Sequence, residues 1–362
     1  MLLKFSRIHT SLFLLLFSAN IFANPIGKSD GSKEFDVNEM IMHHIKDAHE
    51  FHIMDIDGHA VSFPLPIILW TDNGLVTFLS SEFNHDDSGE VIVERKGQEF
   101  IKYHEKIFYA NNTGGDKYVA YDVAGNVTNK KPLDLSITKM VFSMFLSMLL
   151  LILIFVATAR TYSKSKKGEP TGLGKFTEPL VMFIKDEVAL PMIGEKNYQK
   201  YMPFLLTLFF FIWINNVMGL IPFFPFSANL SGNIAFTFVL AAITFIITTV
   251  VGNKDYWKHI FWMPGIPVPM KLFLAPIEFL GIFIKPISLM IRLFANISAG
   301  HIIILSLISL IFIFKSLWLA PASLFFSVFI SLIEVLVVAI QAYIFTMLSA
   351  LYIGSAIEEH EH

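Results

Sequence analysis

The chain has 362 residues, of which 54% are hydrophobic, 14% aromatic and only 16% charged. Soluble domains carry about a quarter charged residues, so these proportions, with 37 phenylalanines, describe a polytopic membrane protein with a polar portion. A formal net charge of −3 leaves no basic footprint for nucleic acid. The absence of cysteine excludes disulfides, thiolate chemistry and cysteine-based metal sites.

The N-terminus reads as a secretory signal peptide over residues 1–23. Lys4 and Arg7 form a positive n-region, Leu12 to Phe17 an apolar core, and small residues follow at Ser18, Ala19 and Ala23. That apolar run is short for a membrane span, which needs about 20 residues. Cleavage is expected near Ala23 and Asn24, which starts the mature chain outside the cytoplasm.

Residues 24–136 are expected to form a small β-containing extracytoplasmic domain. Turn signals stand at Thr71-Asp72-Asn73-Gly74, Asp86-Asp87-Ser88-Gly89, Asn111-Asn112-Thr113-Gly114-Gly115 and Ala124-Gly125-Asn126. Between them lie short β-rich runs: Pro66 to Trp70, Leu75 to Leu79, Phe100 to Tyr109 and Lys117 to Asp122. The stretch from Met42 to His52 is dense in histidine, with Asp55, Asp57 and His59 close behind. The metalloprotease spacing His-Glu-x-x-His fails there, because Ile53 stands four positions after His49. His49 and His52 are spaced to share a helical face. Metal binding, a proton-collecting or docking surface, and a plain solvated segment all stay open for this stretch.

The membrane domain is expected over residues 137–362. Ile137 to Ala159 makes one span, closed by Arg160, Lys164, Lys166 and Lys167, a basic cluster that marks the cytoplasmic side. Lys175 to Gly194 mixes apolar and charged residues and predicts an interfacial amphipathic helix. Pro203 to Ile221 is a second span, travelling outward. The loop from Pro222 to Asn233 has no Lys or Arg, as an external loop should. Ile234 to Val251 returns inward, and Gly252 to Lys271, with Lys254, Lys258 and Lys271, fits a cytoplasmic connection. Two unusually long apolar segments follow, Leu272 to Phe314 and Ala320 to Gly354, each one long tilted helix or a helical hairpin. The expected fold is an all-α polytopic membrane protein with about five crossings, two of them long and tilted, plus the small N-terminal domain. The mature N-terminus lies outside and the C-terminus in the cytoplasm.

Inside the first long segment sits Arg292. An arginine at membrane depth costs about 3 kcal/mol or more. A snorkelling arginine fits poorly, because apolar sequence continues well past it on both sides. The same segment carries Asn296 and His301, and the second carries Glu334 and Gln341. If the two run antiparallel, Arg292 beside Gln341 and His301 beside Glu334 give index sums that agree to within two. One helix pairing thus accounts for four polar groups at two depths, about 13 Å apart on the first helix and about 10 Å on the second. Asn296 shares a face with Arg292, four positions on. Glu278 lies about 21 Å from Arg292 on the other side, with Lys285 between them.

Histidine and a carboxylate hold and pass protons near neutral pH, and such chains in membranes mark proton relays. Arginine keeps its proton, so it serves as a fixed positive barrier and as an attractor for a carboxylate. The plain alternatives are a static ion pair for His301 and Glu334, ordinary interhelical hydrogen bonding for Asn296 and Gln341, and a hydrated helix-end carboxylate for Glu278.

At these residues the chain resembles subunit a of the rotary F-type ATP synthases. The resemblance lies in Pro286-x-Ser288-Leu289-x-x-Arg292-Leu293-Phe294-Ala295-Asn296-x-x-Ala299-Gly300-His301. It extends to Ile333-Glu334-Val335-Leu336 with Ile340-Gln341-Ala342-Tyr343-Ile344-Phe345, and to Asn216-x-x-Gly219-Leu220-x-Pro222. It covers roughly residues 137–358. It implies that Arg292 faces the carboxylates of a rotating c-ring and separates two half-channels. By the same resemblance His301 and Glu334 belong to the external half-channel, Asn296 and Gln341 lie near the arginine, and Glu278 belongs to the cytoplasmic half-channel. The implied partners are the c-ring subunits, the peripheral-stalk b subunits and the rest of the complex, in a bacterial inner membrane. The resemblance does not reach residues 24–135.

The sequence holds no Gly-x-x-x-x-Gly-Lys-[Ser/Thr] run, so ATP chemistry belongs to partners, and nothing calls for a cofactor or resident metal. The rival readings are a sodium-coupled form of the same subunit, and a self-contained transporter, which should show internal repeats around a midplane site.

Overall fold

Five helices are long and apolar enough to cross a membrane among the residues described by the computed structural model, which are 46–56, 59–111, 118–164, 171–221, 224–263, 265–314 and 316–358. The expected signal peptide and residues 42–45 of the histidine-dense stretch lie outside these residues. In chain order the helices are α1 (Lys139–Lys164), α2 (Gly174–Phe183), α3 (Leu190–Ile193), α4 (Tyr198–Gly219), α5 (Ile234–Val251), α6 (Lys254–Phe261), α7 (Val268–Ile313) and α8 (Ala320–Ile357). The spans are α1, α4, α5, α7 and α8. Each long apolar segment is therefore one helix and not a hairpin. With 46 and 38 residues, α7 and α8 are about 69 and 57 Å long at 1.5 Å per residue. The hydrocarbon core is only about 30 Å thick, so neither helix crosses it upright.

The chain divides into two units. One holds the described residues up to Phe145 together with the described part of the loop 221–228, and the other holds the remaining helices.

The N-terminal unit contains eight strands among the described residues: β1 (Glu50–Ile56), β2 (His59–Pro64), β3 (Pro66–Thr71), β4 (Gly74–Leu79), β5 (Val93–Arg95), β6 (Gln98–Tyr103), β7 (Lys106–Tyr109) and β8 (Leu133–Asp134). They make three antiparallel sheets, ordered β1-β2, β4-β3-β8 and β5-β6-β7. Alternation places Ile67, Leu69, Val76 and Phe78 inward, onto Phe83, Val93, Phe100 and Ile107. The Asp72-Asn73 turn closes β3 onto β4 with Gly74 at φ 90, where a side chain would be strained.

Three expectations changed here. The run from Phe100 to Tyr109 is split by a turn at His104 and Glu105, both at positive φ, into β6 and β7. Around Lys117 to Asp122 the described residues hold only an isolated bridge, Tyr121 to Val127. His49 and His52 do not share a helical face. Residues 50–56 are strand β1, because pairing with β2 satisfies their backbone groups.

His49 is instead buried, 3% exposed, with Nε2 3.2 Å from Asp134 Oδ2 and Nδ1 3.7 Å from Glu105 Oε2. The buried Lys102 ammonium lies 3.6 Å from Glu50 and 3.8 Å from Glu105. Burial alone would lower the His49 pKa, but Asp134 and Glu105 outweigh it and raise it from 6.5 to about 9. Burial would likewise raise Glu105, but His49 and Lys102 bring it from 4.5 down to about 2. The histidine's stabilisation is complete below pH 6.5 and lost as pH climbs to about 9. The glutamate's is complete above pH 4.5 and lost as pH falls to about 2. The N-terminal unit should therefore show a flat unfolding midpoint between these inner limits and a decline on either side. Hydrogen exchange of its strands across pH checks this, and a midpoint indifferent to pH between 6.5 and 9 would contradict the ion cluster.

The start of α1 is capped from within the same unit. The Met140 N–H donates to Asp47 Oδ1 at 3.0 Å, and the Lys139 N–H to the Ala48 carbonyl at 2.8 Å. A carboxylate at this place also complements the helix dipole. Beside this cap, Phe51, Phe63 and Phe142 gather around Phe224 from the loop. Each aromatic pair of this kind adds about 0.5–1.5 kcal/mol beyond its buried area.

In the helical unit α4, α5, α7 and α8 enclose a core that includes Leu205, Phe209, Leu289, Leu293, Val338 and Phe345. The segment expected as an interfacial helix is α2, a π-helical stretch (Ile184–Ala189) and α3. Part of its apolar side is packed away, while Phe176, Met182 and Phe183 stay exposed. Ile184, Val188, Ala189 and Ile193 join the same core and pack with α4 and α8. Gly354 permits this closeness, because a Cβ there would stand 1.8 Å from the Met192 carbonyl oxygen.

Candidate functional site

Helices α7 and α8 pack on each other and carry most of the polar groups singled out in the sequence. His301 Nδ1 lies 2.9 Å from Glu334 Oε1. Glu334 is 3% exposed, and the imidazole also faces the backbone carbonyls of Gly219 and Ile297. Gly300 makes room for the carboxylate: a Cβ at that position would meet Glu334 Oε1 at 2.5 Å. The glycine's role is close approach, because its backbone is ordinary helix.

The other Glu334 oxygen, Oε2, is buried without a hydrogen-bond partner among the described residues. So are Ser298 Oγ and both polar atoms of the Asn216 side chain, while Asn215 Nδ2 donates to the Phe211 carbonyl at 2.7 Å. Buried polar groups are normally paired. Groups of this kind are suited to hold water or a passing proton. In the sequence Gly300 stands only as a motif letter and Ser298 falls on an unspecified position, and neither spacing nor polarity marks the carboxylate seat that Gly300 provides.

Arg292 is placed differently. It is half-buried on the outer side of α7, beside an open groove lined by Ile284, Ile287, Ser288 and Ile291. Ile284, Ile287 and Ile291 are 60%, 47% and 50% exposed. Asn296, one turn on, is exposed on the same side. Gln341 is buried in α8, and among the described residues no hydrogen bond or ion pair joins it to Arg292. Of the two cross-helix pairs anticipated from the index sums, only His301 with Glu334 is in hydrogen-bond contact.

On the other side of Arg292 along α7 stand Glu278 and Lys285. Glu278 is half-buried, and Tyr256 of α6 answers to it: burial first, then the Glu278 carboxylate, push that phenol above its usual pKa of 10.0. Thr244, Thr248, Tyr256, Lys285 and Tyr352 line a small cavity with Ile282 and Pro286. The Lys285 ammonium stands 5.6 Å above the Tyr352 ring. Pro286 has no N–H to give, so the Ile282 carbonyl is left without its helical partner at that cavity. Tyr256 and Tyr352 were not found from sequence, since a tyrosine in an aromatic-rich chain carries no signal of its own.

A family model described as ATP synthase A chain matches residues 141–354. The chain belongs to the ATP synthase A chain family. The match runs from the first turn of α1 to the last turn of α8, so the family region takes in all five spans and the α7–α8 pair. Relatives named ATP synthase subunit a support it. The one from Chloroherpeton thalassium is 43% identical over 235 residues, 63% of this chain and 69% of the relative. The one from Chlorobium phaeobacteroides (strain BS1) is 47% identical over 237 residues, 63% and 68% of the two chains. The one from Anaeromyxobacter dehalogenans is 36% identical over 288 residues, 77% of this chain and 73% of the relative. Outside the A-chain match, a second model, a domain of unknown function (DUF8433), covers residues 40–135.

Proposed function

We infer that this chain is the proton-translocating stator subunit in the membrane sector of an F-type ATP synthase, with the catalytic steps carried by other subunits. One observation carries the reading of the site. Arg292 stands on an open apolar face of α7, whereas the His301–Glu334 pair is held between α7 and α8. A charge kept at membrane depth on an outward face calls for a charged partner from another chain. The ring carboxylates of the c subunits are that partner, and the b subunits of the peripheral stalk hold the chain against rotation.

In this reading a proton enters from outside at His301 and Glu334, whose buried carboxylate and imidazole exchange it over a 2.9 Å contact. It then passes to a ring carboxylate at the level of Arg292, about 13 Å along α7. After the ring turns, the proton leaves through the cavity between Lys285, Tyr256 and Tyr352 toward Glu278, on the cytoplasmic side. Arg292, with Asn296 beside it and Gln341 in the neighbouring helix, stays positive throughout and keeps the two half-paths apart. The mature N-terminus and residues 24–136 lie outside the cytoplasm, behind a cleaved signal peptide at residues 1–23, and the C-terminus lies inside.

The natural chain has no cysteine, so a single introduced thiol reports alone. Arg292→Cys in the assembled complex should form an oxidative crosslink to a c-subunit helix whose own cysteine neighbours the ring carboxylate. A crosslink that forms only with cysteines far from that carboxylate would overturn the ring-facing assignment.

A further inference from the structure

Two helix ends meet at Asn253, which stands between the close of α5 and the start of α6. The last carbonyls of a helix have no partner within it, and at the end of α8 two of them accept from Asn253. Its backbone N–H donates to the Ala356 carbonyl at 3.0 Å, and its side-chain Nδ2 to the Glu358 carbonyl at 2.9 Å. The other polar atom of the side chain, Oδ1, accepts from the Tyr256 N–H at 2.7 Å. This second bond is an N-cap, with Asn253 extended at φ −75 and ψ 175 just before α6 begins. One amide group thus ties the start of α6 to the end of α8.

Each tied end carries a residue of the small cavity described above. Tyr256 lies in the first turn of α6, and Tyr352 stands one turn before Ala356 on α8. The rest of the lining comes from α5, with Thr244 and Thr248, and from α7, with Ile282, Lys285 and Pro286. Its ionisable groups are therefore Tyr256, Lys285 and Tyr352, with Glu278 two turns before Lys285 along α7. Helices α5, α7 and α8 are long and run through the core, whereas α6 has eight residues. A helix that short does not persist by its own propensity, so its place depends on what holds its ends. The far end is held on α7 by rings: Phe261 meets Phe279 at 6.0 Å, and Phe279 meets Phe283 at 5.4 Å. The near end, which carries Tyr256, is held by Asn253.

We propose that Asn253 is a positioning residue for the cytoplasmic half-path: by tying the start of α6 to the end of α8 it keeps Tyr256 at the cavity that Lys285 and Tyr352 line. Asn253 is not part of that lining and carries no proton. It acts through the backbone of α6, so its loss changes the surroundings of the carriers and not their identity. The proposal rests on the assignment of this cavity to the proton path.

The test uses the assembled complex in inverted membrane vesicles, which turn its cytoplasmic face to the bath, and reads ATP-driven proton pumping while bath pH and lumenal pH are varied separately. Asn253→Ala should lower the rate by about threefold or more. It should also displace the bath pH of half-maximal pumping by about half a unit or more and leave the dependence on lumenal pH as in the natural chain. A loss of assembled complex alone would scale the rate and displace neither profile. Asn253→Asp keeps the acceptor for Tyr256 but cannot donate to Glu358, so its bath-pH profile should be displaced as well. A natural profile for Asn253→Asp would leave only a local helix cap and overturn the tie to α8. A second chain carries Asn253→Cys with Glu358→Cys, the only thiols in it. Bridged by a short bismaleimide it should pump with the natural profile, and unbridged with the displaced one. Superimposable bath-pH profiles for Asn253→Ala and the natural chain, or for the bridged and unbridged forms, would overturn the proposal. Glu278→Gln separates the two claims. If it displaces the bath-pH profile while the Asn253 variants are natural, the tie fails and the path stands. If it leaves rate and profile natural, the cavity is not the cytoplasmic half-path and the role of Asn253 falls with it.

Discussion

Replacing Arg292 by alanine is expected to abolish ATP-driven proton pumping in membrane vesicles, down to the signal seen without ATP. A guanidinium at membrane depth is destabilising by about 3 kcal/mol or more unless it has a partner or a task. Among the described residues nothing in the chain forms a hydrogen bond or ion pair with it, and its neighbours are the exposed Ile284, Ile287 and Ile291. In the proposed reading the charge is held ready for a carboxylate that arrives from outside the chain. A ring carboxylate that meets a positive charge gives up its proton on one side and must take up another before it re-enters lipid. Without the arginine nothing forces that exchange, and rotation is no longer tied to proton movement. Full pumping by Arg292→Ala would sink the barrier role.

Exchanging His301 and Glu334 is expected to do less harm than losing either one. Their contact is 2.9 Å, and the carboxylate is 3% exposed in a seat opened by Gly300. Removing one partner leaves the other buried and unpaired, which costs more than the pair contributes. His301→Ala and Glu334→Ala should each slow pumping by more than about tenfold, equivalent to about 1.4 kcal/mol of barrier. The exchanged chain keeps both proton carriers, their contact and their depth, so it should pump at a rate clearly above either single variant. Equal loss in all three, with equal amounts of complex in the membrane, would mean that the two residues act separately.

Much of the membrane part was legible because bilayer thickness turns sequence into geometry. Runs of about 20 apolar residues had to be spans, and the two longer ones had to be tilted. The antiparallel register of α7 and α8 came from counting residues, and it anticipated the His301–Glu334 contact. It also suggested Arg292 beside Gln341, and among the described residues no hydrogen bond or ion pair joins these two. An index sum fixes depth but not direction around the helix axis, and Arg292 points to the open side of α7. The strap of α2 and α3 was read as lying on the membrane surface. Its amphipathic pattern is the same whether lipid or protein covers the apolar side: protein covers it at Ile184, Val188, Ala189 and Ile193, while Phe176, Met182 and Phe183 stay exposed. In the N-terminal domain the turn residues and alternation identified the hairpin of β3 and β4. Strand β1 was missed because the histidines drew a helical spacing across it. Its partner β2 lies next in sequence, but its Phe63 gains meaning only beside Phe224, far along the chain. No local pattern announces that contact.

The central claim is that Arg292 separates two half-paths, and passive proton flow tests it most directly. Vesicles are stripped of the catalytic head and given a pH gradient, and proton flux is compared for the natural chain and Arg292→Ala with matched amounts of complex. The account predicts that the variant conducts protons in the passive direction although it no longer pumps, because the two half-paths then share the ring carboxylate without a barrier between them. Vesicles that stay tight to protons with Arg292→Ala in place would contradict it.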